Sequence, residues 1–279
     1  MRCALALALL LSAAPAVAET REIALPVREG PPLRAVLAIP EGPGPFPAIV
    51  ALHGCGGLWN DAGRMFARET AWARRFNAAG WAVLFPDSFS TRGYRSVCTL
   101  VERPILPQRE RVRDAFDALA WLQAQPFVRA DRVAAFGWSH GAMTALWTIA
   151  ADSPGGSASP DFAAAVAFYP GCAEIGRTAF RPRAPLLLQL GGDDAWTPPK
   201  PCIAMAEAAR ARGGAEIAWD IYPGAVHGFD QPLGKVHDFV TRNSAYKGGE
   251  KTVKVGPDPA ARALAVPRAM DWLHRSLDR

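Results

Sequence analysis

Beyond its first eighteen residues, this 279-residue chain has no apolar run long enough to cross a bilayer. Its 31 basic and 26 acidic residues give a net charge of only +5, and no basic run alternates with aromatic residues, which disfavours nucleic-acid binding. The five cysteines include no CxxC pair and no cysteine–histidine spacing typical of zinc sites. We find no internal repeat and no linker between domains. The sequence therefore implies no metal, no cofactor, no nucleic acid and no membrane anchor, and it leaves the oligomeric state open.

The amino terminus has the pattern of a secretory signal. A positively charged start precedes an almost wholly apolar run over residues 3–14, and the small-residue pattern AVA stands just before Glu19. The apolar run is too short for a stable membrane anchor. We expect residues 1–18 to be removed from an exported protein, periplasmic or secreted, and residues 19–279 to form a single domain. The alternative is an apolar amino-terminal helix that is retained.

Four cysteines lie after the expected cleavage point, at Cys55, Cys98, Cys172 and Cys202. An even number of cysteines in an exported protein favours two disulfides. Three pairings are possible, and we favour Cys55–Cys98 with Cys172–Cys202, because each pair would sit on loops after consecutive strands. Buried free thiols are the alternative.

Strand-like apolar runs alternate with helix-like runs along the chain. The predicted strands are residues 33–39, 48–52, 81–85, 133–136, 163–169, 186–190 and 217–222. The helix-like runs are residues 64–79, 109–125, 142–151, 200–212 and 259–277. This alternation predicts a mostly parallel sheet with helices on both faces. Residues 22–27 predict an antiparallel hairpin with the first strand at one edge, and the polar residues 230–257 predict a solvated loop, with a place beside the active site as the alternative.

The sequence GWSHG stands between a predicted strand and a helix-like run. It places Ser139 at the apex of a sharp strand-to-helix turn. The turn needs glycine at Gly137 and Gly141, because a Cβ there would collide with neighbouring backbone. A serine hydroxyl becomes a strong nucleophile when such a turn presents it to a base with free amides behind it. We predict Ser139 to be a nucleophile, and the alternative is a glycine-rich turn with an incidental serine.

Two further motifs follow the last two predicted strands, GGDDAWTP and then PGAVHGF. Functional groups collect where parallel strands end at their carboxyl edge, so we predict that His227 accepts the proton of the serine. A carboxylate must hold the imidazole in the useful tautomer and stabilise its charged form. We assign that role to Asp194, because its spacing to Pro198 places it deeper in the turn, and Asp193 is the alternative. The chain order serine, aspartate, histidine is that of α/β-hydrolases.

Two backbone amides are predicted to form the oxyanion hole. The sequence HGCGG follows a predicted strand and forms a glycine-rich loop, whose donor we assign to the amide of Cys55, with Gly54 as the alternative. The second donor is the amide of His140, directly after the predicted nucleophile. We assign no catalytic role to the side chains of His140 and His53.

Substrate-binding residues are predicted from their places on loops. Arg92 follows a central strand and is a candidate ligand for a carboxylate of the substrate, the alternative being an ordinary exposed arginine. Trp138 and Trp196 lie on or beside the active-site loops and are candidates to line an apolar or aromatic acyl pocket. Ordinary packing of at least one of these tryptophans is the alternative.

Together these motifs resemble the dienelactone hydrolase family of the α/β-hydrolase superfamily. The resemblance is carried by HGCGG, PDSF, GWSHG, GGDD with its following proline, and residues 222–229, and it extends over roughly residues 22–277. It implies the α/β-hydrolase fold and a serine or cysteine hydrolase with the triad assigned above. Founding members of the family use a cysteine nucleophile, controlled by a glutamate in the oxyanion loop. This chain has Ser139 instead, and Gly54 at about the position of the glutamate.

The two departures agree with each other, since a serine needs no thiol switch, and they point away from a dienelactone substrate. The expected function is cleavage of small carboxylic esters or lactones through an acyl-enzyme. A peptidase or amidase on the same fold is one alternative, although no segment of the sequence suggests a domain that selects peptides. A binding protein without turnover is the other, although all three triad positions are filled.

Overall fold

The structure is a computed structural model that describes residues 19–153, 156, 158–243 and 249–278. The expected signal segment, residues 1–18, lies outside the described residues. The strands are β1 (Glu19–Leu25), β2 (Leu33–Ile39), β3 (Phe46–Leu52), β4 (Ala82–Pro86), β5 (Val128–Trp138), β6 (Ala164–Phe168), β7 (Leu186–Gly191), β8 (Ile217–Tyr222), β9 (His237–Arg242) and β10 (Glu250–Val255). The helices are α1 (Ala67–Ala78), α2 (Glu110–Gln123), α3 (His140–Ile149), α4 (Pro199–Arg212) and α5 (Pro259–Leu277). No helix in the described ranges combines the length and the apolar character needed to cross a bilayer.

Eight strands form one sheet in the order β1-β2-β4-β3-β5-β6-β7-β8. The strands from β4 to β8 run parallel to one another, whereas β2 is antiparallel to both β1 and β4. The first two strands form the predicted hairpin at one edge. The prediction of a mostly parallel sheet is confirmed, and the carboxyl ends of β3, β5, β7 and β8 meet on one side of it.

Helices cover both faces of the sheet, as predicted. Successive side chains of a strand point to opposite faces. In β3, Val50 and Leu52 pack into the core shared with α2, α3 and α4, whereas Ile49 and Ala51 pack into the core shared with α1 and α5. All four side chains are inaccessible to solvent. A strand buried on both faces has no polar positions, which is why the strand-like runs lack alternation.

The prediction of a solvated loop over residues 230–257 is wrong for two segments of it. Strands β9 and β10 form an antiparallel hairpin there, with Arg242 opposite Glu250. The hairpin is held against the body of the protein by Thr241, which is fully buried and donates a hydrogen bond to the carbonyl oxygen of Cys98 at 2.9 Å. The packing of this outlying hairpin depends on contacts with distant residues that its polar sequence does not reveal.

Two disulfides join Cys55 to Cys98 and Cys172 to Cys202, which are the favoured pairs. The bonded cysteines are 43 and 30 residues apart in sequence. Each link therefore removes a large loop-closure entropy from the unfolded chain. The first disulfide ties the loop after β3 to the loop after β4, and the second ties the loop after β6 to α4.

Alkylation of the unreduced protein is expected to leave these four cysteines unmodified. Peptide mass mapping should recover the two cross-linked peptides with the pairing seen in the structure. Removal of either disulfide by paired alanine substitution should lower the free energy of unfolding by about 3–4 kcal/mol, measured by urea titration. Free thiols at the four positions, or peptides that link Cys55 to Cys172 or Cys202, would contradict this arrangement.

Candidate active site

Ser139 occupies the sharp turn between β5 and α3, with φ +51° and ψ −113°. A positive φ in a residue other than glycine persists only where surrounding contacts impose it. A Cβ on Gly137 would overlap the carbonyl of Gly141, and a Cβ on Gly141 would overlap the carbonyl oxygen of Leu52 at the end of β3. The two glycines thus allow α3 to start directly against the sheet, with the serine at the point of closest approach.

The structure brings the three predicted triad side chains into hydrogen-bond contact. His227, in the loop after β8, places its Nε2 2.9 Å from the Oγ of Ser139. Its Nδ1 lies 2.7 Å from Oδ2 of Asp194, in the loop after β7. Because a carboxylate only accepts hydrogen bonds, the imidazole proton belongs on Nδ1 and Nε2 is left to accept the serine proton. The arrangement is that of a nucleophile, a base and an orienting carboxylate.

Asp194, rather than Asp193, contacts the imidazole. Its Oδ1 accepts hydrogen bonds from the backbone amides of Trp196 and Thr197, each at 2.8 Å, and its Oδ2 lies 2.8 Å from the hydroxyl of Thr197. Burial alone would raise the pKa of Asp194, but His227 and these hydrogen bonds outweigh burial and hold the pKa below its ordinary value. The carboxyl group is therefore ionised at neutral pH. The side chain of Asp193 is exposed.

The amides predicted as oxyanion donors lie on anchored backbone. Cys55 accepts hydrogen bonds at its carbonyl oxygen from the amide of Val97 at 2.8 Å and the hydroxyl of Ser96 at 3.2 Å, and its sulfur is bonded to Cys98. The amide of His140 belongs to the first turn of α3, where amides have no partner within the helix. Cys55 lines the same cavity as Ser139, and His140 directly follows the serine in the chain, so the assignment of their amides to an oxyanion hole stays a prediction.

The side chains of His53 and His140 are buried behind the site. Arg111 donates hydrogen bonds to Nδ1 of His140 and to the carbonyl oxygen of His53, both at 2.8 Å. The backbone amide of Ser88 donates to Nε2 of His53 at 3.2 Å. Burial, reinforced by the nearby charge of Arg111, lowers the pKa of His53 to about 3 and the pKa of His140 well below its ordinary value. Both imidazoles are therefore neutral structural groups.

A cavity of ≈ 350 Å³ opens in front of the serine. Its apolar wall includes Phe66, Trp196, Leu233, Phe239 and Val255, and its polar side chains include Arg68, Glu69, Ser139, His227, Gln231 and His237. Gly54 and both cysteines of the first disulfide also line it. The ring of Trp196 stacks on Phe239, with centroids 5.2 Å apart, and lies 4.6 Å from the ring of His227. The volume is at the small end of the range for ligand pockets, roughly 300–1,000 Å³.

Two predicted substrate-binding residues do not line this cavity. The guanidinium of Arg92 donates two hydrogen bonds to the carboxylate of Asp114, at 2.8 and 2.7 Å, and one to the carbonyl oxygen of Ser88 at 2.7 Å. Trp138 is fully buried, and its indole N–H donates to Asp230 at 2.9 Å. The guanidinium of Arg92 is therefore occupied by the protein's own Asp114, and Trp138 is a core residue. The prediction that these two residues bind substrate is wrong. Trp196 alone of the three predicted residues lies at the site.

Sequence reasoning missed a buried carboxylate beneath the site. Asp230 accepts hydrogen bonds from the indole N–H groups of Trp72 and Trp138, both at 2.9 Å, and from the hydroxyl of Tyr169 at 2.5 Å. It lies three residues after His227, on the same loop. The only sequence signal was an acidic residue closely following the histidine motif.

A buried ion pair adjoins this network. Nη2 of Arg68 lies 2.5 Å from Oε1 of Glu69, and Nη1 donates to the hydroxyl of Tyr169 at 3.1 Å. Burial raises the pKa of Glu69, although Arg68 opposes the shift. In the sequence the two residues look like part of an ordinary charged helix face, so nothing marked them as lining a cavity.

Comparisons with known proteins agree with the fold. The model of the dienelactone hydrolase family matches residues 33–277. A putative dienelactone hydrolase from Klebsiella pneumoniae has 20% identity and a TM-score of 0.66, with 92% of this chain and 98% of that chain covered. P91, a dienelactone hydrolase-like promiscuous phosphotriesterase from metagenomic libraries, has 22% identity and a TM-score of 0.66, with coverages of 93% and 99%.

Esterase 2 of Thermogutta terrifontis, in a structure phosphorylated by paraoxon, has 19% identity and a TM-score of 0.62, with coverages of 93% and 94%. A search of curated proteins gave no match. At these identities the solved structures establish the α/β-hydrolase fold. The evidence for a family relationship is the match to the family model, which covers most of the chain.

The adjacent aspartates provide a matched test of the site. Asp194→Asn is expected to lower kcat for 4-nitrophenyl butyrate by roughly ten-thousandfold, because an amide neither holds the required imidazole tautomer nor stabilises its charged form. Asp193→Asn makes the same chemical change on an exposed side chain and should leave kcat within about threefold of the parent protein. Steady-state kinetics of both variants shows which aspartate supports the imidazole, and circular dichroism checks that each variant is folded. Loss of activity in Asp193→Asn with retention in Asp194→Asn would reverse the assignment.

Proposed function

The chain belongs to the dienelactone hydrolase family, and from that premise we propose that it is a serine hydrolase that cleaves small carboxylic esters or lactones through an acyl-enzyme. One observation carries the proposal. His227 bridges Ser139 and Asp194, with contacts of 2.9 Å and 2.7 Å on its two ring nitrogens. A histidine held in this way can remove the serine proton and return it to the leaving group.

The proposed reaction begins when the Oγ of Ser139 attacks the ester carbonyl and its proton passes to Nε2 of His227. Negative charge develops on the carbonyl oxygen, where the amides of Cys55 and His140 stabilise it. The C–O bond to the alcohol then breaks, and His227 donates its proton to the departing alkoxide. Asp194 stabilises the imidazolium throughout and stays ionised.

The resulting acyl-enzyme is hydrolysed by the same groups in reverse. Water enters the cavity vacated by the alcohol and loses a proton to His227 as it attacks the acyl carbon. The second tetrahedral intermediate collapses, the bond to Ser139 Oγ breaks, and the proton on His227 returns to the serine. The carboxylic acid leaves and the free enzyme is restored.

The state of the triad supports an enzyme over a binding protein without turnover. A binding protein is under no requirement to keep a serine in a strained backbone conformation against a paired imidazole. No feature of the described residues favours amides over esters, so the proposal is confined to esters and lactones.

We also propose that the protein is exported, that residues 1–18 form the removed signal, and that residues 19–279 form one domain. The two disulfides support export, since such bonds persist in oxidising compartments. A single eight-stranded sheet that takes strands from Glu19 to Tyr222, with α5 packed against it, supports one domain.

A fluorophosphonate probe tests the proposed nucleophile directly, because phosphonylation requires an activated serine. We expect one adduct per chain, located at Ser139 by peptide mass mapping. His227→Ala should abolish labelling, and Ser139→Ala should abolish both labelling and ester hydrolysis while the thermal unfolding midpoint stays near that of the parent protein. Substantial hydrolysis by Ser139→Ala would place the nucleophile elsewhere. Absence of labelling in folded protein would favour the binding protein.

A further inference from the structure

We propose that the cavity selects esters whose acyl group is uncharged and apolar, and that the buried pair of Arg68 and Glu69 excludes esters that carry a carboxylate. This inference rests on the proposed function, because it concerns which esters reach the serine. It differs from the prediction made from Arg92, which favoured an anionic substrate.

The wall beside the catalytic base is apolar. Trp196 contacts the ring of His227 and stacks on Phe239, so two aromatic faces extend outward from the reacting atoms. Leu233 and Val255 also line the cavity with apolar side chains. A substrate group that lies along it gains free energy by losing contact with water only if the group is itself apolar. A carboxylate packed against these aromatic and aliphatic faces would lose part of its hydration, and the faces themselves offer it no compensating charge.

The cation at the cavity is already neutralised. Arg68 is the only arginine among the described residues that line it, and lysine is absent from the same set. Its guanidinium is paired with Glu69, which is fully buried, and is linked through the hydroxyl of Tyr169 to the buried carboxylate of Asp230. The carboxylate of Glu69 therefore contacts the guanidinium directly, whereas the carboxylate of Asp230 reaches it through the hydroxyl of Tyr169.

The pair is close enough to the serine to act on the substrate. A Cβ placed on Gly54 would lie 3.7 Å from Nη2 of Arg68 and 3.9 Å from Cβ of Ser139. The guanidinium of Arg68 and the side chain of Ser139 thus lie on two sides of Gly54, each within van der Waals reach of a Cβ at that position. An unpaired arginine at this point would attract a carboxylate attached to the acyl group, whereas the paired arginine does not. Glu69 is therefore a specificity-determining residue.

Three ethyl esters of matched length test the proposal: ethyl butyrate, monoethyl succinate and ethyl succinamate. They share the leaving alcohol, and the terminal group changes from methyl to carboxylate to the uncharged carboxamide. For the parent protein we expect kcat/KM for ethyl butyrate to exceed that for monoethyl succinate by about 100-fold, with ethyl succinamate between them. Ethanol release is measured for all three esters.

Glu69→Gln removes the negative partner at nearly constant volume. It is expected to lower the ratio of kcat/KM for ethyl butyrate to kcat/KM for monoethyl succinate by about tenfold, because the charge of Arg68 becomes available to the carboxylate of the succinate ester. Glu207→Gln makes the same change on the exposed side of α4 and should keep the parent ratio. The ratio is compared within each protein, so a general loss of activity does not affect it.

The possible results separate the selectivity, the role of the ion pair and the proposed function. Equal or faster hydrolysis of monoethyl succinate by the parent protein would overturn this inference and leave the proposed function standing. An unchanged ratio in folded Glu69→Gln would overturn the role of the ion pair. The parent-protein ratios need no variant, so they test the selectivity even if Glu69→Gln fails to fold. No hydrolysis of any ester, together with no fluorophosphonate labelling, would instead remove the proposed function.

Discussion

The close approach of α3 to the carboxyl ends of β3 and β5 is the constraint on which the site depends. Helix and sheet can meet there only because Gly137 and Gly141 lack a Cβ, since either Cβ would overlap a backbone carbonyl. The same contact forces Ser139 to φ +51° and directs its hydroxyl to within 2.9 Å of His227. It also sets the free amides of the first helical turn beside the serine. The packing that closes the core therefore also positions the proposed nucleophile, and a larger side chain at either glycine would displace both the helix and the serine.

A single buried carboxylate connects the loops that carry the proposed catalytic groups. Asp230 shares its loop with His227, accepts a hydrogen bond from Trp138 directly before the serine, and accepts another from Tyr169 at the end of β6. The carbonyl oxygen of Tyr169 in turn lies 3.0 Å from the hydroxyl of Thr197, in the loop that carries Asp194. A buried carboxylate is costly unless its oxygens are hydrogen-bonded, and Asp230 has three donors. Its burial is thus compensated only when these loops are assembled together.

Backbone-determined features and the contacts of Ser139, Asp194 and His227 could be predicted from the sequence, whereas the side-chain directions of Arg92 and Trp138 could not. Glycine at fixed offsets from Ser139 and apolar runs of strand length express local requirements that any chain with this fold must meet. Trp138 is next to the serine in sequence, but it is the last residue of β5 and points into the core. Arg92 ends a short 3-10 helix after β4, and the direction of its side chain is decided by Asp114, 22 residues away. The β9–β10 hairpin depends on long-range contacts such as that of Thr241 with the loop after β4, which no local pattern encodes.

The proposed covalent acyl-enzyme is tested most directly by the partitioning of its products. Ethyl butyrate and 4-nitrophenyl butyrate carry the same acyl group on different alcohols. When each is hydrolysed in the presence of methanol, the acyl-enzyme can react with water to give butyrate or with methanol to give methyl butyrate. If both esters form the same intermediate on Ser139, the ratio of methyl butyrate to butyrate will be identical for the two. A ratio that changes with the leaving alcohol would show that no common acyl-enzyme forms and would contradict the account.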